Sequence, residues 1–188
     1  MTPVVPTEDS RLAPAEAARR AGRIKLVVTD SDGVLTDAGV YYSERGEELK
    51  RFSIRDGMGF ERLRDAGIAV AIMTGELSPS VARRAEKLRA RALLGVKDKA
   101  ACLGAVLAEM GITPGETAYI GDDVNDLGVM AVVAPHGLVG APADAMPEVQ
   151  RVAHHVAAAP GGHGAFRGFA EWILRLRAEA AARDVSLA

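Results

Sequence analysis

Short apolar runs alternate with longer amphipathic stretches along most of this chain. The runs at residues 26–29, 68–73 and 117–120 contain many β-branched or other apolar residues, and each leads into a polar loop. Runs of this length and composition are typical of strands buried on both faces, as in parallel sheets. We expect further short strands at residues 92–95, 132–134 and 152–156.

The stretches between these runs carry helix start and stop signals. Asp56 is expected to cap a helix that Gly67 ends, Asp98 to cap one that Gly111 ends, and Ser78 with Pro79 to open a helix reaching about residue 90. A final helix follows a glycine-rich loop and carries apolar residues at helical spacing: Phe166, Phe169, Trp172, Ile173 and Leu176. The alternation predicts an α/β fold with a doubly wound, mostly parallel sheet.

Two segments stand apart from this alternation. Residues 39–43 and 48–52 flank a turn that contains Gly46, which predicts a small β-hairpin insertion. Residues 1–22 precede the first strand, and we expect a short helix from Pro14 to Gly22 within a peripheral leader. The remainder, residues 23–188, is predicted to form one domain with a glycine-rich tail and helix at about 159–182.

Composition narrows the class of protein. A net charge of -2 gives no electrostatic footprint for nucleic acid, so no nucleic-acid partner is expected. The single cysteine, Cys102, cannot form an internal disulfide bond, which favours a reducing compartment. No apolar run approaches the ~20 residues that a membrane-spanning helix needs. We therefore expect a soluble, cytoplasmic protein without a membrane segment.

Polar residues cluster where the predicted strands end. Asp30 and Asp32 follow the first strand, Thr74 and Gly75 follow the second, and Asp122 with Asp123 follows a later one. An Asp-Gly turn alone is common for conformational reasons. In doubly wound folds, however, ligands bind outside the carboxyl ends of the strands, so the coincidence of three such signals favours a site.

These residue types suit phosphate chemistry assisted by a metal ion. Carboxylates without accompanying cysteine or clustered histidine favour a hard cation, and Mg2+ is the first choice. A carboxylate that faces a phosphoryl group can act as a nucleophile, and a second carboxylate two residues on can move protons. Lys99 and the groups around Thr74 and Gly75 could hold the phosphate oxygens.

Four motifs now support a resemblance. Four segments of the chain resemble, in the same order, the motifs of the haloacid dehalogenase superfamily. They are Asp30-Ser31-Asp32-Gly33-Val34-Leu35-Thr36, Thr74-Gly75, Lys99 and Gly121-Asp122-Asp123-Val124-Asn125-Asp126. The chain also resembles the small capless phosphatases of 3-deoxy-2-ulosonic acid phosphates. This likeness lies at residues 46–52, 55–57 and 161–167, and at Val81 with Arg84. The resemblance covers about residues 24 to 176.

The resemblance implies a role for each motif residue. Asp30 would attack phosphorus, and Asp32 would serve as general acid and then as general base. Mg2+ would be held by Asp30, by the backbone carbonyl of Asp32 and by Asp122, with Asp123 in support. Thr74, Gly75 and Lys99 would bind the phosphoryl group.

The same resemblance implies a homotetramer whose hairpin contributes to subunit contacts. The glycine-rich tail, residues 161–167, would then enter the site of a neighbouring subunit, where Arg167 suits a carboxylate or phosphate group.

The substrate is expected to be a small sugar acid phosphate. Glu76 and Lys87 resemble the phosphatases of nine-carbon acids, such as 2-keto-3-deoxynononic acid 9-phosphate or a sialic acid 9-phosphate. Residues 55–57 instead resemble the phosphatases of 3-deoxy-manno-octulosonate 8-phosphate, which has eight carbons. The sequence favours nine carbons, with Arg84 and Arg167 as further specificity residues.

Two other functions stay open at this stage. A receiver-like domain would also take phosphate on an aspartate near a threonine and a lysine, but it has no need for Asp32. A non-catalytic oligomerisation module would tolerate loss of Asp30 or Asp32, and both residues are present.

Overall fold

Six parallel strands form the central sheet of the computed structural model, which describes residues 11–186. In chain order they are β1 (Leu26–Thr29), β4 (Ala69–Met73), β5 (Arg91–Leu93), β6 (Thr117–Ile120), β7 (Leu138–Ala141) and β8 (His155–Val156), with β2 and β3 in a separate ribbon. Their order across the sheet is β5-β4-β1-β6-β7-β8. The predicted doubly wound parallel fold is confirmed.

Seven α-helices and two short 3-10 helices connect the strands within the described residues. The helices are α1 (Pro14–Ala21), α2 (Ile54–Asp65), α3 (Pro79–Leu88), α4 (Lys99–Met110), α5 (Leu127–Val133), α6 (Pro147–Val152) and α7 (Ala165–Ser186), with 3-10 turns at Pro114–Glu116 and Val124–Asp126. One buried cluster joins the sheet to residues of α1, α2, α3 and α7, and a second joins it to α4, α5 and α6. No helix within residues 11–186 is long and apolar enough to cross a bilayer.

The hairpin is present and is shorter than predicted. Its strands are β2 (Tyr41–Ser43) and β3 (Gly46–Leu49), which pair antiparallel. Beyond β3 the chain leaves the ribbon, and the Lys50 side chain is only 1% exposed. The strand therefore ends where its next side chain turns into the protein.

Residues 132–134 do not form a strand, so that prediction is wrong. They lie at the end of α5, where Val129, Met130 and Val133 are buried at helical spacing. Burial of this face against the sheet outweighs the β propensity of the valines. The strand of this region is β7. The strand predicted at 152–156 is present only as β8, His155–Val156, because Val152 is the last residue of α6.

The segment predicted as a peripheral leader contributes to the core. Helix α1 begins at Pro14 as predicted, and Ala17, Ala18 and Ala21 are buried in the cluster that includes α7. Residues 1–10 of the predicted leader lie outside the described part of the chain. Helix α1 is thus part of the packed domain.

Asp56 does not cap its own helix, which corrects a further prediction. Ser53 is the N-cap of α2, and its hydroxyl accepts hydrogen bonds from the N–H groups of Arg55 and Asp56. The Asp56 carboxylate instead accepts from the N–H of Gly164 at 3.1 Å and of Arg167 at 2.9 Å. Asp56 therefore fixes the start of α7 and the loop before it.

Candidate active site

Asp30 lies at the point where the strand order of the sheet reverses. It directly follows β1, and its N–H donates to the carbonyl of Ile120 at the end of β6. Strands β4 and β5 lie on one side of β1, whereas β6, β7 and β8 lie on the other. This switch point is where ligands bind in open α/β sheets. The Asp30 side chain is therefore in the position expected of a functional residue.

A tight turn carries the chain from Asp30 toward Asp122. The N–H groups of Leu35 and Thr36 both donate to the carbonyl of Ser31. Gly33 has a φ of +84°, and a β-carbon at this position would overlap the carboxylate of Asp122. Only glycine allows the turn to lie this close to the carboxylate.

Three carboxylates converge at this edge. Asp30, Asp122 and Asp126 each place an oxygen within 4.8 Å of the others. Burial raises the pKa of Asp30 to about 7, and the charge of Asp126 adds to the shift. Burial likewise raises the pKa of Asp122 to about 8, with a further contribution from Asp30. Oδ1 of Asp122 is buried without a hydrogen-bond partner.

A hard divalent cation fits this arrangement. Mutually repelling carboxylates are expensive to bury unless a positive charge compensates them. The unpartnered oxygen of Asp122 supplies a ligand atom, and the donor set consists of carboxylate oxygens only. Oxygen ligands of this kind suit Mg2+. Asp30 and Asp122 thus have the chemistry that the sequence predicted for a metal site.

Asp126 organises the site, a role that the sequence did not suggest. Its carboxylate accepts from Lys99 Nζ at 2.6 Å, from the Tyr119 hydroxyl at 2.5 Å and from the N–H of Asp122 at 2.9 Å. The signal in the sequence was its place as the last residue of the motif Gly121-Asp122-Asp123-Val124-Asn125-Asp126. The buried Asp126 therefore connects three elements around the carboxylates.

Lys99 bridges two of these carboxylates. It is the first residue of α4, which Asp98 caps as predicted. Its Nζ lies 3.0 Å from Asp30 and 2.6 Å from Asp126. Burial alone would lower the pKa of Lys99, but the charges of Asp30 and Asp126 outweigh it and raise the pKa. The ammonium is therefore charged where phosphate oxygens would approach Asp30.

Thr74 reaches the same edge from the neighbouring strand. It follows β4, is buried, and its N–H donates to the carbonyl of Leu93. Its Oγ1 accepts from the N–H of Glu76 at 3.2 Å. Gly75 lies between them, and Lys97 Nζ contacts its carbonyl at 3.3 Å. Thr74 and Gly75 thus form a compact loop at the carboxyl end of β4.

Asp32 makes a contact that sequence reasoning missed. Lys50 Nζ lies 2.7 and 2.8 Å from its two carboxylate oxygens. The contact joins residues 18 positions apart, on either side of the hairpin, so no local pattern indicates it. Asp32 is consequently held by a cation from a different part of the chain.

Asp123 is oriented differently from its predicted role. It is exposed, and its carboxylate accepts from the N–H of Val124 at 2.6 Å, which caps the short 3-10 helix. The third carboxylate of the cluster is Asp126 instead. A supporting role for Asp123 at the metal stays a prediction.

The four predicted specificity residues occupy different environments. Glu76 and Lys87 are exposed, in the loop after β4 and on α3 respectively. Arg84 donates to the carbonyl of Ser53 at 2.8 Å, and burial lowers its pKa. The guanidinium of Arg167 donates to Glu171 at 2.8 Å. Both arginines are thus engaged within their own chain.

The glycine-rich loop, residues 161–167, makes contacts within its own chain, and its entry into a neighbouring site stays a prediction. The N–H of Gly162 donates to the carbonyl of Val34 at 2.9 Å, and the N–H of Gly161 donates to Asp144 at 2.8 Å. A β-carbon at Gly161 would overlap the carbonyl of Gly33. The loop therefore supports the acidic turn of its own site.

Comparison with known proteins adds independent information. Residues 54–133 match the family model described as haloacid dehalogenase-like hydrolase. The 3-deoxy-D-manno-octulosonate 8-phosphate phosphatase KdsC of Haemophilus influenzae is 39% identical over 164 residues, covering 87% of this chain and 89% of that protein. KdsC of Yersinia pestis is 41% identical over 160 residues, covering 85% and 84%.

Solved structures give the same family. The cobalt-bound YrbI phosphatase from H. influenzae superposes with a TM-score of 0.80 at 39% identity, covering 86% of this chain and 93% of that one. The Moraxella catarrhalis phosphatase, solved with magnesium, phosphate and KDO, gives 0.81 at 32% identity, covering 92% and 98%. The chain therefore belongs to the haloacid dehalogenase-like hydrolases, within the KdsC/YrbI family of phosphatases.

Proposed function

We propose that this protein is a Mg2+-dependent phosphomonoesterase that hydrolyses 3-deoxy-D-manno-octulosonate 8-phosphate. The observation that supports it most directly is the environment of Asp30, which has Lys99 Nζ at 3.0 Å and an oxygen of Asp122 within 4.8 Å. A nucleophile close to both a fixed ammonium and a cation site suits attack on a charged phosphoryl group.

In the proposed reaction, one Asp30 oxygen bonds to phosphorus as the phosphorus–oxygen bond to the sugar breaks. Asp32 gives its proton to the departing sugar oxygen, and later removes a proton from the water that hydrolyses the aspartyl-phosphate. Lys99 and the Thr74 and Gly75 loop hold the phosphoryl oxygens. Mg2+, held by Asp30, Asp122 and the Asp32 carbonyl, would neutralise phosphoryl charge when bound.

The proposed substrate has eight carbons rather than the nine that Glu76 and Lys87 favoured. The KdsC relatives are named for the eight-carbon substrate, at 37–41% identity over more than four fifths of this chain. Glu76 and Lys87 are both exposed, and the loop geometry of Thr74 does not depend on the Glu76 carboxylate. We further propose that Glu76, Lys87, Arg84 and Arg167 contribute to substrate choice.

The substrate is tested by comparing kcat/KM for the eight-carbon and nine-carbon ulosonic acid phosphates. We expect a preference of at least about tenfold for the eight-carbon substrate, equivalent to about 1.4 kcal/mol. An equal or greater kcat/KM for the nine-carbon substrate would restore the interpretation based on Glu76 and Lys87.

We also propose a homotetramer in which the hairpin contributes to subunit contacts. The hairpin exposes apolar side chains on both strands: Tyr41 is 62%, Tyr42 74% and Leu49 64% exposed. Tyr41 and Leu49 are paired across the hairpin, and exposed apolar side chains that lie together favour association. Sedimentation equilibrium should give a tetramer for the native chain and a smaller species for Tyr42→Asp; a native monomer would exclude this assembly.

A further inference from the structure

Lys50 is a buried cation that has no role in the four catalytic motifs. Its side chain is only 1% exposed, whereas that of Lys25, at the opposite end of β1, is 61% exposed. Burying an ammonium is costly unless it is paired with good geometry. Lys50 meets this condition through Asp32, whose two oxygens lie 2.7 and 2.8 Å from Nζ.

The contacts of Asp32 depend heavily on this lysine. Among the described residues, its other side-chain partner is the Thr36 hydroxyl, at 3.4 Å, which is long for a hydrogen bond between oxygens. Two short contacts from one ammonium fix the plane of the carboxylate, which a single contact from Thr36 would leave free to rotate. The orientation of Asp32 is therefore set mainly from outside its own turn.

Lys50 is itself held by the hairpin. Its Nζ lies 3.8 Å from Glu47, and the other oxygen of Glu47 accepts from the Ser78 hydroxyl at 2.6 Å. Ser78 is the N-cap residue of α3, four positions after Thr74, but its hydroxyl is used for Glu47 rather than for capping. The contacts thus connect Asp32 through Lys50 and Glu47 to the element that follows the phosphate-binding loop.

We propose that Lys50 is the positioning residue for proton transfer by Asp32. This inference rests on the proposed phosphatase function. As the bond between phosphorus and the sugar oxygen breaks, protonated Asp32 gives its proton to that oxygen. The Asp32 carboxylate that remains is paired at once with the Lys50 ammonium. The same ion pair then holds Asp32 ready to remove a proton from water.

A purely structural salt bridge and a positioning role differ in one measurable way. A sugar alcohol leaves as a strongly basic alkoxide unless it is protonated, whereas p-nitrophenolate leaves readily without a proton. The parameter kcat/KM reports only steps up to formation of the aspartyl-phosphate, so the later use of Asp32 as a base does not enter. Damage to proton donation should therefore lower kcat/KM for the alkyl phosphate selectively.

The experiment measures kcat/KM of Lys50→Met on 3-deoxy-D-manno-octulosonate 8-phosphate and on p-nitrophenyl phosphate. We expect the loss on the sugar phosphate to exceed that on the aryl phosphate by at least about tenfold, as general acids contribute 10²–10⁴-fold. Lys25→Met, an exposed lysine remote from the site, should change neither value. Lys50→Arg keeps parallel hydrogen-bond donors for the Asp32 carboxylate. It should therefore keep the ratio of the two kcat/KM values close to that of the native protein.

Equal losses of kcat/KM on the two substrates, or no loss, would overturn the positioning role. It would also be overturned if Lys50→Arg lowered kcat/KM for the sugar phosphate as selectively as Lys50→Met does. If Lys50→Met does not fold by circular dichroism, Lys50→Gln takes the same measurement with the same criteria. Failure of the native protein to hydrolyse either substrate would instead count against the proposed function.

Discussion

Gly33 lies so close to Asp122 that any side chain at position 33 would overlap the Asp122 carboxylate. This contact joins the turn after β1 to the turn after β6, the two strands between which the sheet reverses its order. The left-handed φ of Gly33, +84°, makes the approach possible. Glycine at this position therefore sets the distance between the two halves of the metal site.

Gly33→Ala should raise the Mg2+ concentration needed for half-maximal activity by at least about tenfold, within the range known for residues that orient metal ligands. Its matched control is Gly46→Ala in the hairpin turn. Gly46 also has a positive φ, +106°, but a β-carbon there meets nothing within 4 Å. Backbone strain is common to both variants, so an equal change in Mg2+ dependence would show that overlap with Asp122 is not the cause.

Asp126→Asn should lower kcat by about a hundredfold, because small displacements of reacting groups have effects of this size. The carboxylate of Asp126 fixes Lys99, Tyr119 and the backbone at Asp122, and an amide cannot accept from all of them. Urea unfolding should also show a loss of about 3 kcal/mol in the free energy of unfolding, since a buried ion pair loses one partner.

Asp123→Asn is the control for Asp126→Asn. Asp123 is an adjacent acid of the same motif, but it is exposed and contacts the N–H of Val124, which asparagine can also cap. We expect a stability close to that of the native chain and a much smaller loss of activity than in Asp126→Asn. A larger loss in Asp123→Asn than in Asp126→Asn would return the supporting role at the metal to Asp123.

The sequence predicted the parts of the site that local pattern determines. Asp30 and Thr74 each follow an apolar run directly, and parallel strands must bring such ends to one edge. The partners of Lys50 and Asp56 were missed because they lie 18 and more than 100 positions away. Val132 and Val133 were predicted in a strand because valine has a high β propensity. Tertiary packing places them at the end of helix α5 instead.

Asp56→Ala should lower the free energy of unfolding by about 2 kcal/mol, because the N–H groups of Gly164 and Arg167 lose their acceptor. Asp65→Ala provides the control, since Asp65 is on the same helix and is exposed. Urea denaturation compares the two variants. Equal stabilities would show that the start of α7 does not depend on Asp56.

His154 should make the protein less stable in mild acid. Burial lowers its pKa to about 4, and its Nδ1 accepts from the N–H of Val139 at 3.2 Å. Above the unfolded pKa of about 6.5 the imidazole is neutral in both the folded and the unfolded state, so its titration takes nothing from the free energy of unfolding. Between about pH 6.5 and 4 the unfolded chain binds a proton that the folded chain does not, so stability falls.

The variant His154→Gln removes this titrating group and keeps an acceptor for Val139. Its unfolding free energy should fall by about 1–2 kcal/mol less than that of the native chain between pH 6.5 and 4, after allowance for solvent screening. Parallel stability curves for the two proteins would contradict the assignment to His154.

The measurement that tests the account most directly is the capture of phosphate on Asp30. The enzyme would be mixed with 3-deoxy-D-manno-octulosonate 8-phosphate and Mg2+, quenched in acid within a turnover, digested and analysed by mass spectrometry. We predict a phosphorylated peptide that contains Asp30, with no such peptide and no phosphate release in Asp30→Asn. Sustained Mg2+-dependent phosphate release by Asp30→Asn would contradict the account.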